Sequence, residues 1–190
     1  QGKGGLLAAQ GDAGKSMILL DLAMKVCMTP ANAGKGGVWP FQALGHNVVT
    51  SGSAVLFMAE DDRGEIHRRL EALDPKGDFR KACAGKLYIV AFPDAGGPPR
   101  LVMGDDKSVS ATAEFEVIRQ QLRAIKDLRL VGFDPTTPFV GGDLNKPHIA
   151  GAFATMIAQL AAETGATVIC THHMTKGDRA YIDWIYDPQT

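Results

Sequence analysis

The stretch Ala9-Gln10-Gly11-Asp12-Ala13-Gly14-Lys15-Ser16 decides how this chain folds, because a short apolar run, 5–9, precedes it and a run of helical period, 17–28, follows it. Strand, glycine-bearing loop and helix in that order make a phosphate-binding loop, here with alanine in place of its first glycine. The glycines let the backbone curl until successive N–H groups point inward, and the helix behind them adds the positive end of its dipole. Gly11, Asp12, Ala13, Gly14, Lys15, Ser16 and Met17 are the residues expected to hold the nucleotide. Lys15 is expected to reach the β- and γ-phosphates, and the Ser16 hydroxyl to sit on Mg²⁺. The glycine-rich stretch 34–37 has no strand before it and no helix after it, and reads as a loop.

Around this motif, short β-rich runs alternate with segments of helical period. Strands are expected over 5–9, 54–59, 87–91, 129–134 and 166–171. Several are apolar throughout, as strands covered on both faces are. The segments between carry one apolar stripe each: Ile66, Leu70 and Leu73; Phe115, Ile118, Leu122 and Ile125; Ile149, Phe153, Met156, Ile157 and Leu160. Asp62 with Glu65 three residues on predicts a capping box for the first. The pattern is that of an α/β protein with a mostly parallel central sheet flanked by helices. A chain of 190 residues fits one domain, residues 1–190. Two connections, 29–53 and 92–110, show no period and are rich in Gly and Pro, so functional loops are expected there. Trp39, Pro40 and Phe41 in the first are expected to pack on the sheet, the alternative being that they cover a nucleotide base or a neighbouring subunit.

Charge and composition exclude more than they assign. Hydrophobic residues at 45% and charged ones at 22% exclude disorder, and no apolar run approaches the ~18 residues of a membrane span. Cys27, Cys83 and Cys170 are odd in number and far apart, which suits buried thiols and a cytoplasmic location rather than a disulfide framework. A net charge of -1 announces no global field for nucleic acid, so any such contact must be local.

Phosphate chemistry needs a metal-holding carboxylate and a base. Leu130-Val131-Gly132-Phe133-Asp134 is an apolar strand ending in aspartate, the Walker B pattern, and Asp134 is the expected second holder of Mg²⁺. Many ATPases place a catalytic glutamate next, but Pro135 stands there. Glu60, at the carboxyl end of the strand 54–59, is the expected base, with Asp61 beside it, since ligands of open α/β sheets lie at that edge. His172 and His173 end the last strand and are placed to sense a γ-phosphate and pass its loss to the loop beginning near Met174. Cys170 and His172 share a face, but no further ligand pair is spaced to complete a zinc site. Thr175-Lys176-Gly177-Asp178 is similar to a guanine-recognition motif, but Asp134 lacks the glycine that a GTPase places three residues later.

The ordered set GDAGKS (11–16), LFMAED (56–61) with IHRRLEAL (66–73), LVGFDPTTPF (130–139) and VICTHHMTKG (168–177) resembles the RepA-like branch of RecA-type ATPases, hexameric replicative helicases of plasmids related to DnaB. The resemblance implies a RecA-like P-loop fold, ATP and Mg²⁺ as cofactors, Glu60 as catalytic glutamate, Asp134 as Walker B aspartate and His172 or His173 as γ-phosphate sensor. It implies an ATP-dependent DNA helicase of plasmid or phage replication, a homo-oligomeric, hexameric ring on single-stranded DNA, away from any membrane. Arg100, Lys107 and Lys176 are the available DNA contacts. The alternative is a RecA-type regulatory or assembly ATPase without unwinding activity. The family's helicases continue past the paired histidines to an arginine finger. The expectation is therefore an ATPase core with an incomplete C-terminal part, in which Arg179 is the one arginine after those histidines.

Overall fold

Hydrophobic periodicity becomes architecture in a computed structural model, which describes residues 2–28, 42–43, 45–105 and 108–174. Stretch 34–37, Trp39, Pro40, Phe41, Lys107, the 175–178 motif and Arg179 lie outside the described residues. Five parallel strands form the main sheet: β1 (Gly4–Ala9), β4 (Ser53–Met58), β5 (Leu87–Ala91), β8 (Leu128–Asp134) and β10 (Thr167–His173), in the order β1-β10-β8-β4-β5. All five were expected from sequence, within two residues at either end.

Side chains alternate across β4 and β8, so each face of the sheet receives its own layer. Ala54, Leu56, Met58 and Leu130 face helix α1 (Lys15–Met28), meeting Leu19, Leu20, Ala23 and Met24. Val55, Phe57, Val131 and Phe133 face helices α4 (Ala113–Ala124) and α5 (Pro147–Thr164), whose stripes Phe115, Ile118, Leu122 and Phe153, Met156, Leu160 pack on them. Helix α2 (Arg63–Leu73) and the short α3 (Asp78–Ala82) complete the α1 side. β4 is buried along its whole length, as a strand covered on both faces requires, whereas β1 is largely exposed, with Leu6 at 67%.

The connection 92–110 differs from the aperiodic loop that its sequence suggests. It holds β6 (Val102–Gly104) and β7 (Val109–Ala111), which pair antiparallel, and β6 also pairs with β9 (Val140–Gly141). Strands of two or three residues are too short to show alternation, which is why the Gly and Pro signal dominated the reading. Residues 42–43 and 46–47 form a second small pairing, β2 with β3. The predicted cap of α2 is half realised: the Asp62 carboxylate accepts from the Glu65 N–H at 2.7 Å, but the Glu65 carboxylate turns to Arg68 and Arg69.

Gly132 sets how closely α1 approaches the sheet. A Cβ there would stand 2.7 Å from Cδ2 of both Leu19 and Leu56, each already fully buried. Gly132→Ala is expected to destabilise the fold by about 1–3 kcal/mol through overpacking, measurable by chemical denaturation.

Candidate active site

The site is assembled where the carboxyl ends of β1, β10, β8 and β4 meet, because parallel strands deliver their following residues to one edge. Register fixes the neighbours: Ala9 pairs with His173, Cys170 with Phe133, and Met58 with Asp134. Thus β10 stands between the strand that leads into the phosphate loop and the strand that ends in Asp134.

The loop takes the backbone shape that a phosphate cradle needs. Asp12 and Gly14 have positive φ, 59° and 80°, and Gly14 also accepts from the Ile18 N–H at 3.0 Å to start α1. Beside the loop lies a cavity of about 130 Å³ lined by Asp12 to Ser16, Glu60, Asp61, Arg69, Asp134, Pro135 and His173. Gly11 and Met17 lie outside this lining. Asp134 and Lys15 are only 5% exposed.

Lys15 ties the loop to β10. Its ammonium donates to the carbonyls of Ala9 at 3.0 Å and Gln10 at 2.6 Å, and contacts Nδ1 of His173 at 3.3 Å. An ammonium has only donors, so Nδ1 accepts and the neutral ring carries its proton on Nε2. That Nε2 faces Glu60, with 3.8 Å to Oε2. Lysine, histidine and glutamate therefore form one chain along the cavity.

The pair of histidines is split by strand alternation. His173 faces the cavity, whereas His172 lines a separate apolar groove of about 460 Å³ with Leu6, Thr136, Phe153 and Ile157. Both histidines are expected at the site; β10 runs two residues further than expected, through His173, so the two rings point to opposite faces.

Carboxylates on the β4 side are braced by α2. The Arg69 guanidinium donates to Asp61 Oδ1 at 3.1 Å and Glu65 Oε1 at 2.8 Å. Burial pushes the Asp61 carboxyl above the usual aspartate range; Arg69 opposes the shift, and the Asp134 charge adds to it. Arg69, in the His-Arg-Arg stretch of α2, is a site residue that the sequence alone does not assign. Its spacing four residues after Glu65 was the available signal, since residues i and i+4 share a helix face. Thr171 was also unassigned: it is completely buried, and its hydroxyl donates to Asp134 Oδ1. A polar residue ending the apolar run 168–170 was the signal for it.

Arg100, expected as a DNA contact, is exposed but engaged with backbone carbonyls. Its guanidinium donates to the carbonyls of Pro138 at 2.5 Å and Val140 at 3.2 Å, which tether β6 to the segment after Asp134. Lys107 and Lys176 lie outside the described residues.

Oxygen donors at the site suit Mg²⁺. Ser16 and Asp134 offer a hydroxyl and a carboxylate to one cavity, and among the described residues no three His, Cys, Asp or Glu side chains cluster to hold a metal by themselves. That donor set fits an ion shared with phosphate oxygens and water, the usual manner of Mg²⁺.

One solved structure, the flagellar accessory protein FlaH from Methanocaldococcus jannaschii, is similar at a TM-score of 0.49 and 12% identity, covering 96% of this chain and 67% of that one. A family model described as "AAA domain" matches residues 1–179. With nearly its whole length matched and its phosphate loop facing the carboxylates of two neighbouring strands, the chain belongs to the AAA domain family of P-loop ATPases.

Proposed function

We propose that residues 1–190 form one RecA-like core that hydrolyses ATP with Mg²⁺ and uses the cycle to translocate on single-stranded DNA as a helicase of plasmid or phage replication. The observation that carries the catalytic part is the chain Lys15–His173–Glu60 along a cavity shared with Ser16 and Asp134. In this reading the N–H groups of the loop, Gly11 through Met17, cradle the phosphates, and Lys15 leaves its carbonyl partners to meet the β- and γ-oxygens. Ser16 and Asp134 hold Mg²⁺, which when bound neutralises charge developing on the phosphates. Glu60 orients and deprotonates the attacking water, its position at the end of β4 placing it across the cavity from Lys15. His173 touches both Lys15 and Glu60, so loss of the γ-phosphate changes its partners, and β10 carries the change to the backbone at Met174. There the Met174 N–H is held by the Ala9 carbonyl at 3.0 Å, beside the phosphate loop.

The helicase part rests on the resemblance of the motif set to the RepA-like branch, with a hexameric ring and a cytoplasmic location as its corollaries. A second reading, a regulatory or assembly ATPase without unwinding, is favoured by one observation: Arg100 is engaged with backbone carbonyls. The test is ATP turnover by the purified protein with and without single-stranded DNA, alongside its mass in solution, with Lys15→Ala as the inactive control. Turnover that DNA stimulates, in a ring-sized species, is the expected result. Lys15-dependent turnover that DNA leaves unchanged, with no ring, selects the second reading instead.

A further inference from the structure

We infer that Thr171 is a positioning residue for Asp134: its hydroxyl fixes one carboxylate oxygen so that the other is presented to Mg²⁺. The inference rests on the ATPase reading above and deepens it at the metal side of the site. It begins from an anomaly in β10, where the apolar run Val168-Ile169-Cys170 ends in a threonine that is 0% exposed. A hydroxyl buried to that degree needs a partner, and leaving it unmet costs about 1–3 kcal/mol. The partner is Oδ1 of Asp134, itself nearly buried, so Thr171 meets in that carboxylate the acceptor its buried hydroxyl needs.

Both ends of Thr171 are held. Its carbonyl accepts from the Thr136 N–H at 2.8 Å and from the Thr136 hydroxyl at 2.7 Å. Thr136 follows Asp134 by two residues, so the chain leaving β8 turns back onto β10 and closes a ring of contacts: Asp134 to Thr171 by side chain, Thr171 to Thr136 by carbonyl. Thr136 is 3% exposed, which keeps this ring dry. A carboxylate with one oxygen committed in this way loses its rotational freedom about the Cβ–Cγ bond. The free oxygen is then aimed before any ion arrives, and the cost of ordering it is already met in the fold.

Alternation along β10 adds a second consequence. Thr171 and His173 are two residues apart and face the same side, so the strand that positions the metal-holding carboxylate also carries the ring that contacts Lys15 and Glu60. Outer partners that orient a metal-holding group typically contribute 10–100-fold in metal affinity.

Binding of a fluorescent methylanthraniloyl-ATP to the full chain, titrated in EDTA and again in excess Mg²⁺, tests the assignment. Thr171→Val removes the hydroxyl at nearly constant volume and is expected to bind as the wild type does in EDTA, while losing about ten-fold of the affinity gained from Mg²⁺. Thr171→Ser is expected to recover that gain to within about two-fold, since it keeps the hydroxyl. If valine prevents folding, the pair Thr171→Ser and Thr171→Ala carries the comparison, differing by the hydroxyl alone. An unchanged Mg²⁺ gain in Thr171→Val, an equal weakening in EDTA and Mg²⁺, or failure of serine to rescue overturns the inference while leaving the ATPase reading intact. Wild-type protein that binds the nucleotide in neither condition overturns both.

Discussion

Glu60→Gln is expected to lower ATP turnover by about 10²–10⁴-fold while changing nucleotide affinity by no more than a few-fold. The asymmetry follows from where Glu60 stands. Its side chain is 59% exposed just past the end of β4 and approaches His173 at 3.8 Å. The glutamine is isosteric and still polar, so it leaves the cradle of N–H groups and Lys15 in place but removes the basic carboxylate that would accept a proton from water there. Substrate binding and the chemical step therefore separate, and steady-state turnover with equilibrium nucleotide binding reads them independently. A variant that keeps its turnover assigns the base elsewhere, with Asp61 the nearest carboxylate lining the same cavity. Asp61 is the less apt base on geometric grounds: the Arg69 guanidinium already occupies one of its oxygens.

How much of this was legible in sequence depends on the range of the interaction that decides each feature. The phosphate loop is local, since residues 9–16 carry their own turn, their own donors and their own helix start, so its place between β1 and α1 could be read directly. The strands were legible because β4 and β8 are buried on both faces and must be apolar throughout. What escaped was set by register and by distance in the chain. Whether His172 or His173 faces the nucleotide depends on a single step along β10, and strand alternation turns that step into opposite faces. Arg69 belongs to the site only because α2 returns along the end of β4 to bring its guanidinium to Asp61. Thr171 meets Asp134 across 37 residues of chain, a pairing that nothing in either segment announces by itself. Leu101 and Val102 sit at the core under a stretch that reads as loop, because the strand they introduce is three residues long.

Phe133→Ala is expected to destabilise the fold by about 3–5 kcal/mol. Phe133 is wholly buried next to Asp134 and lies in a cluster of four rings: it stacks on Phe57 with centroids 5.0 Å apart and meets Phe139 edge-on at 5.3 Å. Phe92 closes the cluster against Phe57 and Phe139 at 6.0 and 5.6 Å. Truncation removes both ring contacts, each worth about 0.5–1.5 kcal/mol beyond its buried area, and leaves a cavity that close packing cannot fill. For a chain of this size the loss corresponds to a melting-point fall of roughly 6–20 °C, readable by circular dichroism. The same substitution also tests how the metal side of the site is held. Phe57 and Phe133 are paired in register across β4 and β8, one residue before Met58 and Asp134, so the stacked rings pack directly beneath the strand ends from which Glu60 and Asp134 emerge. Phe133→Leu, which keeps most of the volume, is expected to lose less than half as much stability and to keep the Mg²⁺ gain in nucleotide affinity. If the alanine variant instead melts within a few degrees of the wild type, the aromatic cluster is not what fixes the end of β8, and the clamp from Thr171 and Thr136 must carry Asp134 without it.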